Sequence, residues 1–236
     1  TPLGFALNPR KYATGLLEVA ITKGVEVHGH SPVLEIESTK GGYNLRTPLA
    51  NVSAAKIVIA TNGYSSEDLP DWMRSRFMPV QSSVILTRHM TQDELNAQGW
   101  TSDQMAYDTR KLLHYFRLLP DRRFLFGMRG GLFATTGERH RIQKEIRTNF
   151  KAMFPAWSHV DIEHEWYGLL CLNRSKTPYV GAIPDMPGAF AGFGYHGNGV
   201  GMGSYAGALL ADLVRGVTPD RPYPQALRTV PKRFPL

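Results

Sequence analysis

The sequence contains very little cysteine and no long apolar run. Among its 236 residues there is one cysteine, Cys171, which excludes a disulfide within the chain and predicts a reducing, cytoplasmic setting. No apolar stretch approaches the roughly 18 residues of a transmembrane helix. The opening residues lack the basic and then apolar pattern of a signal peptide. The eight histidines are scattered, without the spacing of a metal site or a Ser/His/Asp triad. We therefore expect neither a metal site nor a membrane span.

Positive charge is in excess but dispersed. The net charge is +7, and the densest basic run lies on a helix predicted from about Gly137 to Phe154. The basic residues are Arg139, Arg141, Lys144, Arg147 and Lys151, and they alternate with the apolar residues Ile142, Ile146, Phe150 and Met153. This pattern has two interpretations, a nucleic-acid surface or the solvated face of an amphipathic helix. Because no nucleic-acid motif accompanies it, we favour the solvated face and expect no nucleic-acid partner, although an anionic substrate would be attracted.

The segment Ala189–Val217 organises the chain. It predicts an apolar strand, a glycine-rich loop and then a helix, because apolar residues recur every three or four positions. These residues are Ala206, Leu209, Leu210, Leu213, Val214 and Val217. Gly216 stands where a left-handed helix cap is expected. The loop offers unobstructed N–H groups at the positive end of the helix, which predicts a site for a phosphate or for the edge of a flavin pyrimidine.

The same loop contains the dinucleotide-binding pattern Gly192-x-Gly194-x-x-Gly197. In that role the pattern opens a βαβ unit and is followed, about 20 residues later, by an acidic ribose partner. Here it is followed by Gly216 and a proline-rich segment. We therefore interpret the loop as closing a site that begins elsewhere in the protein.

The first quarter of the chain predicts a mixed α/β layer. A helix is expected over 9–23, with Asn8 as N-cap, Pro9 first and Gly24 after its end. Its predicted buried face is Tyr12, Ala13, Leu16, Leu17, Ala20 and Ile21. Short strands are expected over 25–28 and over 56–60, the second buried on both faces. A hairpin is expected from 33–39 and 43–47 across Gly41 and Gly42.

After Pro79 the pattern becomes antiparallel. Strands are predicted over 84–87, 112–119, 123–128 and 160–170, with the basic helix between the last two. A strand over 179–183 then returns the chain to α/β character. The fold class is therefore mixed α/β, with an antiparallel region in the middle of the chain.

Four stretches, in order, resemble the FAD-dependent oxidoreductases of the D-amino-acid oxidase superfamily. They are NPRKYATGLLEVAITKGVEVH, AAKIVIATNGY, RSKTPYVGAIPD and GFGYHGNGVGMGSYAGALLADLVRG. They are most similar to the branch of γ-glutamylputrescine oxidoreductase, glycine oxidase and sarcosine oxidase. The resemblance implies an incomplete Rossmann-like FAD-binding domain over 1–78 and 166–236. It also implies an antiparallel-sheet substrate domain, or roof, over 79–165.

The resemblance implies a cofactor, FAD, and a set of cofactor-binding residues. These are Val33 near the adenine, Ala60, Thr61, Asn62 and Gly63 at a strand end, Gly168, and Gly197, Asn198, Gly199, Val200 and Gly201 at the pyrimidine. For each group the alternative is a purely structural strand or turn. Some relatives attach flavin through a cysteine, which would be Cys171 here, although a lone cysteine among leucines is usually a core residue.

The resemblance also implies a substrate, a small amine or amino acid. Tyr115, Arg129 and His196 are the candidate catalytic residues, and Arg129 would bind a substrate carboxylate through its guanidinium fork. The alternative interpretation of Arg129 and Arg174 is that both are solvent-exposed arginines without a binding role. The implied reaction is hydride transfer from the carbon beside the amine nitrogen to flavin N5, giving an imine that hydrolyses.

The family's N-terminal strand, G-x-G-x-x-G loop and helix, which bind the FAD pyrophosphate, have no counterpart in this sequence. The sequence therefore resembles the C-terminal two-thirds of such an enzyme, with an N-terminal segment of the same protein as the expected partner. The alternative function is a cofactor-free fragment or binding module that needs a separate N-terminal polypeptide and exposes a large apolar patch to it.

Overall fold

A computed structural model describes residues 5–131 and 135–235. The helices are α1 (Pro9–Thr22), α2 (Gln92–Gln98), α3 (Thr136–Met153), α4 (Gly199–Arg215) and α5 (Gln225–Arg228). The strands are β1 (Glu35–Thr39), β2 (Gly42–Arg46), β3 (Asn51–Ala54), β4 (Ile57–Ile59), β5 (Met78–Thr87), β6 (Ala106–Tyr107), β7 (His114–Leu118), β8 (Phe124–Arg129), β9 (Ile162–Leu172), β10 (Tyr179–Ala182) and β11 (Ala189–Phe193). Single 3-10 turns occupy Asn62–Tyr64, Asp71–Met73 and Pro155–Trp157.

The chain forms two compact units. One contains the described residues up to Met78 and those from Cys171 onward, and the other is Pro79–Leu170. The predicted mixed α/β class with antiparallel sheets is confirmed. The cofactor and substrate roles expected for the three segments of the chain stay predictions.

The first unit contains two three-stranded sheets. In one, β1, β2 and β3 pair antiparallel, which confirms the predicted hairpin and adds β3. In the other, β11 lies in the centre, antiparallel to β10 and parallel to β4. Its core is built largely of aromatic and small side chains: Tyr43, Ile57, Met73, Phe77, Cys171, Tyr179, Ile183, Ala189, Ala191 and Phe193.

The predicted strand, loop and helix near the C-terminus are confirmed as β11 and α4. Of the predicted helix face, Ala206, Leu209 and Leu210 are buried, where they pack with Val180 and Leu227. The later apolar residues of that face are half-buried or, at position 217, exposed. Gly216 caps the helix in the left-handed conformation with φ of 73°.

Three expectations for the first quarter are wrong. Residues 25–28 form no strand, since no described strand lies beside them to accept their hydrogen bonds. Strand β4 is buried on one face only, because Ile57 is buried whereas Val58, which points to the opposite face, is 44% exposed. Helix α1 has the predicted Asn8 cap, but none of its residues is buried, because the described residues cover its apolar face only in part, as where the Tyr12 hydroxyl meets Ser204 Oγ. Leu16, Leu17 and Ile21 are all exposed.

The second unit is a five-stranded antiparallel sheet in the order β6-β7-β8-β5-β9 with α3 packed on one face. Side chains alternate along each strand, so Phe124 and Phe126 of β8 meet Ile142, Ile146 and Phe150 of α3 in the core. The intervening residues of β7 and β8 face the other way. Helix α2 was not predicted, although Thr91 and Glu94 form a capping box at its start.

The basic face of α3 is ion-paired. Arg141 binds Glu138 at 3.0 Å and Glu145 at 2.6 Å, and Arg147 binds Glu165 at 2.5 Å. Acidic residues one turn away on the helix, or on β9, therefore balance much of the positive charge. This is the arrangement of a solvated helix face.

Candidate functional site

Two loops of the first unit meet at one sheet edge. Strands β4 and β11 run parallel, with Ile59 opposite Ala191, so the residues that follow them leave the sheet side by side. Ala60 to Gly63 follow β4, and Gly194 to Gly201 follow β11. The carboxyl edge of parallel strands is where open α/β sheets bind ligands.

Asn62 joins the two loops. Its Oδ1 accepts a hydrogen bond of 3.1 Å from the Gly194 N–H, and its own backbone has a positive φ of 47°. Asparagine tolerates this left-handed conformation better than most residues. Ser65 Oγ donates to the Asn62 carbonyl at 2.8 Å and lies 2.7 Å from Thr61 Oγ1. The turn after β4 is therefore held by side-chain hydrogen bonds.

The N-terminus of α4 is open. The N-cap residue Asn198 makes no capping hydrogen bond through its side chain, and the first turn contains no acidic residue. A Cβ on Gly201 or Gly203 would have no neighbour within 4 Å, and one on Gly199 would only touch Tyr195 at 4.0 Å. Uncapped N–H groups at a helix start favour an electron-rich ligand. The residues present thus fit the pyrimidine edge of a flavin.

Asn173 anchors the same loop, and sequence analysis missed it. This residue is buried, and its Nδ2 donates to the Thr177 carbonyl at 2.7 Å. Its Oδ1 lies 3.1 Å from His196 Nε2, and the His196 N–H donates to the Cys171 carbonyl at 3.2 Å. Gly194 packs so closely that a Cβ there would be 2.5 Å from Asn173 Nδ2. The turn pattern Asn-x-Ser-x-Thr at 173–177 was the available signal.

Cys171 has the character of a core residue. Its side chain is buried, and burial raises the pKa of the thiol to about 12. Reactive cysteines are instead partly exposed thiols whose pKa is lowered by a positive environment. The geometry favours packing over covalent attachment of a cofactor.

In the second unit, Tyr115 lies on the sheet face opposite α3. Its partner across the strand pair is Gly127, and a Cβ on Gly127 would be 2.1 Å from Tyr115 Cζ. The Tyr115 hydroxyl lies 2.9 Å from Ser82 Oγ. Sequence analysis missed Ser82, since a serine in a strand carries no distinguishing signal.

Arg129 completes this group. It pairs with Ser82 across β5 and β8, and its buried Nε has no hydrogen-bond acceptor among the described residues. Burial raises the pKa of Tyr115, while the Ser82 hydrogen bond and the positive charge of Arg129 oppose that rise. Tyr115, Ser82 and Arg129 therefore form one polar cluster on the sheet face opposite α3. We call this whole face the substrate face, after the role predicted for it.

The other predicted residues are more dispersed. Val33 precedes β1 in the first unit and is half-buried. Gly168 is on β9 of the second unit. Arg174 is exposed, and its guanidinium donates to the Arg233 carbonyl at 3.2 Å. Their predicted roles stay predictions, as do those of the loop residues and of the substrate face.

Within residues 5–131 and 135–235, no group of three or more His, Cys, Asp or Glu side chains is placed to hold a metal ion. No helix in that part of the chain is both long and apolar enough to cross a bilayer.

A family model described as "FAD dependent oxidoreductase" (DAO) matches residues 1–213. The chain belongs to this family. The predicted resemblance is confirmed, and the family's cofactor is the FAD that the open α4 terminus fits. The match includes β4, β11 and most of α4 as well as the whole second unit.

Curated relatives have related names. The chain is 30% identical over 212 residues to the probable oxidoreductase OrdL of Rhizobium meliloti, covering 89% of this chain and 47% of that protein. It is 28% identical over 213 residues to γ-glutamylputrescine oxidoreductase of Escherichia coli, covering 90% and 49%. The chain thus spans about half the length of the curated relatives it matches.

Solved structures in the family share the fold. Iminodiacetate oxidase from Chelativorans sp. BNC1 aligns with a TM-score of 0.73 at 19% identity, covering 94% of this chain and 59% of that one. Glycine oxidase from Geobacillus kaustophilus aligns with a TM-score of 0.71 at 19% identity, covering 88% and 54%.

Proposed function

We propose that the protein to which this chain belongs is an FAD-dependent oxidoreductase that oxidises a small amine or amino acid. In this proposal the first unit supplies the loops that bind the flavin, and the second unit supplies the substrate face. Two curated relatives, named γ-glutamylputrescine oxidoreductase and glycine oxidase, support amino compounds as the substrate class.

The open N-terminus of α4 carries the proposal. Its first-turn N–H groups have no acceptor in the side chain of the N-cap residue, and three glycines, Gly199, Gly201 and Gly203, leave space above them. Backbone dipoles that are already oriented stabilise negative charge without reorganising. Asn62 holds the loop through its bond to the Gly194 N–H, and Asn173 through its side-chain contact with His196.

The substrate face orients the other reactant. When bound, FAD would supply the acceptor for the hydride lost from the carbon beside the amine nitrogen, and water would hydrolyse the resulting imine. Arg129 binds a carboxylate, and the Tyr115 hydroxyl, held by Ser82, donates a second hydrogen bond to it. Positioning of this kind supplies much of the rate when the substrate only has to bind with its amine deprotonated.

A charge placed at the helix start tests the flavin role. In the complete protein, Gly201→Asp adds a carboxylate to the first turn of α4 without a steric clash, because no atom lies within 4 Å of the new Cβ. The helix itself is stabilised by an acidic residue there. We expect unchanged or higher thermal stability but about tenfold weaker FAD binding, equivalent to roughly 1.4 kcal/mol.

Gly207→Asp is the matched control. Gly207 lies further along the same helix, is exposed and has equally open space around it. The Gly207→Asp substitution should leave the affinity for FAD unchanged. Equal FAD affinities for the two variants, measured by fluorescence titration of the apoprotein, would remove the proposed role of the α4 terminus.

The exposed face of α1 favours a second candidate, a cofactor-free module that associates with a separate N-terminal polypeptide. Tyr12, Leu16, Leu17, Val19 and Ile21 are each between 38% and 54% exposed. Apolar patches of this kind mark interaction surfaces. The visible spectrum and intact mass of the purified protein separate the candidates. Flavin absorbance supports the enzyme, and a colourless chain of this mass alone supports the module.

A further inference from the structure

Arg117 and Arg129 lie on the same face of the second unit's sheet, on either side of Tyr115. On β7, Arg117 is two residues from Tyr115, and side chains two apart share a face. On β8, Arg129 is two residues from Gly127, the cross-strand partner of Tyr115. The two arginines therefore flank Tyr115 along a diagonal of the substrate face.

Both arginines lack a partner within the described ranges. The Nε atoms of Arg117 and Arg129 are buried there without a hydrogen-bond acceptor, and neither side chain forms an ion pair. Other arginines of the same unit are paired, for example Arg88 with Glu94 at 2.7 Å and Arg123 with Asp121 at 2.8 Å. The two side chains are half-buried, and a buried N–H group without an acceptor is unfavourable unless a ligand supplies one.

The substrate face has no carboxylate of its own on its three central strands. The residues that share it with the two arginines are Ser82, Val84, Leu86, Tyr115, Leu125 and Gly127. All six are uncharged. The face therefore presents two positive groups, with a phenol and a serine hydroxyl between them, to whatever binds there.

The separation of the two arginines limits the ligand. Arg117 pairs with Leu125 across β7 and β8, and Arg129 is four residues further along β8. At a rise of roughly 3.3 Å per residue, the backbones of the two arginines are about 13 Å apart along the strand direction. Each arginine side chain is long and has many rotamers, so the two guanidinium groups can approach each other more closely than the backbones do. One small monocarboxylate can bind only one of them, whereas an extended ligand with two carboxylates can bind both.

We propose that Arg117 is a second carboxylate-binding residue and that the substrate is an extended amino compound with two carboxylates. This rests on the proposed function. Arg129 binds the carboxylate beside the amine, and Arg117 binds the distal one through its planar fork. Arg117 thereby determines specificity and takes no part in the chemistry.

Ligand binding without turnover gives the first test. Calorimetric titration of the complete FAD-loaded protein compares glutarate, a dicarboxylate, with butyrate, a monocarboxylate of similar length. We expect glutarate to bind at least about tenfold more tightly. Arg117→Gln should remove that preference and leave butyrate unaffected, and Arg117→Lys should retain part of it. Arg141→Gln, on the exposed face of α3, is the control.

Kinetics give the second test. For N-carboxyethylglycine, Arg117→Gln should raise KM about tenfold with kcat nearly constant, while KM for N-methylglycine stays the same. Circular dichroism melting verifies that each variant is folded, and Arg117→Lys serves as the second variant if Arg117→Gln is not.

Two results would overturn the proposal: equal affinity of the parent protein for glutarate and butyrate, or a preference for glutarate that survives Arg117→Gln. Failure of the proposed function looks different. In that case no amine or amino acid reduces the flavin, whereas the glutarate titration still reports directly on Arg117.

Discussion

The ring of Tyr115 lies over Gly127, so closely that a Cβ on Gly127 would be 2.1 Å from Tyr115 Cζ. Glycine at position 127 is therefore what allows the phenol to lie flat on the sheet and reach Ser82. The packing of Tyr115 on Gly127 therefore sets the position of the phenol hydroxyl that we expect to contact the substrate.

Gly127→Ala should displace the Tyr115 ring and break its hydrogen bond to Ser82. We expect a loss of about 1 to 3 kcal/mol in the free energy of unfolding, from overpacking and the lost bond. Urea denaturation measures it. Gly137→Ala is the control, because Gly137 lies in the first turn of α3 with no atom within 4 Å of a new Cβ. Similar effects of both substitutions would contradict the close packing.

Ser82→Ala should raise the pKa of Tyr115 further. Burial already raises that pKa, and the hydrogen bond from Ser82 opposes the rise by stabilising the phenolate. Ultraviolet titration, corrected by a Tyr115→Phe version of each variant, isolates this one tyrosine. Ser83→Ala is the control, since Ser83 lies on the other face of β5 and binds Gln81 instead. A pKa that stays constant in Ser82→Ala would show that the hydroxyl contact is absent in solution.

Asn62→Ala should destabilise the first unit by about 1 to 3 kcal/mol, because it removes the hydrogen bond to the Gly194 N–H and places alanine at positive φ. Asn62→Gly relieves the backbone strain but not the lost bond, so it should recover part of the stability. Asn62→Asp keeps both an acceptor and a tolerance for this backbone conformation. Thermal melts should therefore rank the variants Asp, Gly and Ala in falling stability, and any other order would assign Asn62 a different role.

Cys171→Ala should make stability less sensitive to alkaline pH. Burial raises the thiol's pKa to about 12 in the folded chain from its ordinary value of 9.0, so above pH 9 the unfolded chain loses the proton first. The native chain is therefore destabilised as pH rises from 9 towards 12, by about 1.4 kcal/mol per pH unit for one group.

In Cys171→Ala that contribution disappears. Burial also raises the pKa values of Tyr179 and Tyr195 to about 12, so the variant keeps a smaller slope that begins near their ordinary pKa of 10.0. Denaturation curves at several alkaline pH values give the slope directly, so any pH-independent packing loss does not interfere. Parallel slopes for the parent chain and the variant would mean that the thiol is accessible to solvent.

Local sequence patterns predicted the helices and strands that depend mainly on interactions between residues close in sequence. Helix α4 follows from its apolar spacing and Gly216, α1 from Asn8 and Pro9, and the first hairpin from the pair Gly41 and Gly42. Each depends on contacts or caps within a few residues. Short elements such as α2 and β3 carry a weak periodic signal and were missed.

Tertiary structure decided what covers each apolar surface and which polar groups meet. The sequence marked Tyr115 and Arg129 through family resemblance, but only the pairing of β5, β7 and β8 brought Ser82 and Arg117 to the same face. Likewise, Asn62 was marked, yet its bond to Gly194 exists because β4 and β11 pair across a long stretch of chain. Apolar periodicity specifies that a face needs to be buried, whereas strand register and long-range packing determine its partner. The sequence alone thus determined the family and the main elements, and the tertiary structure determined the polar networks.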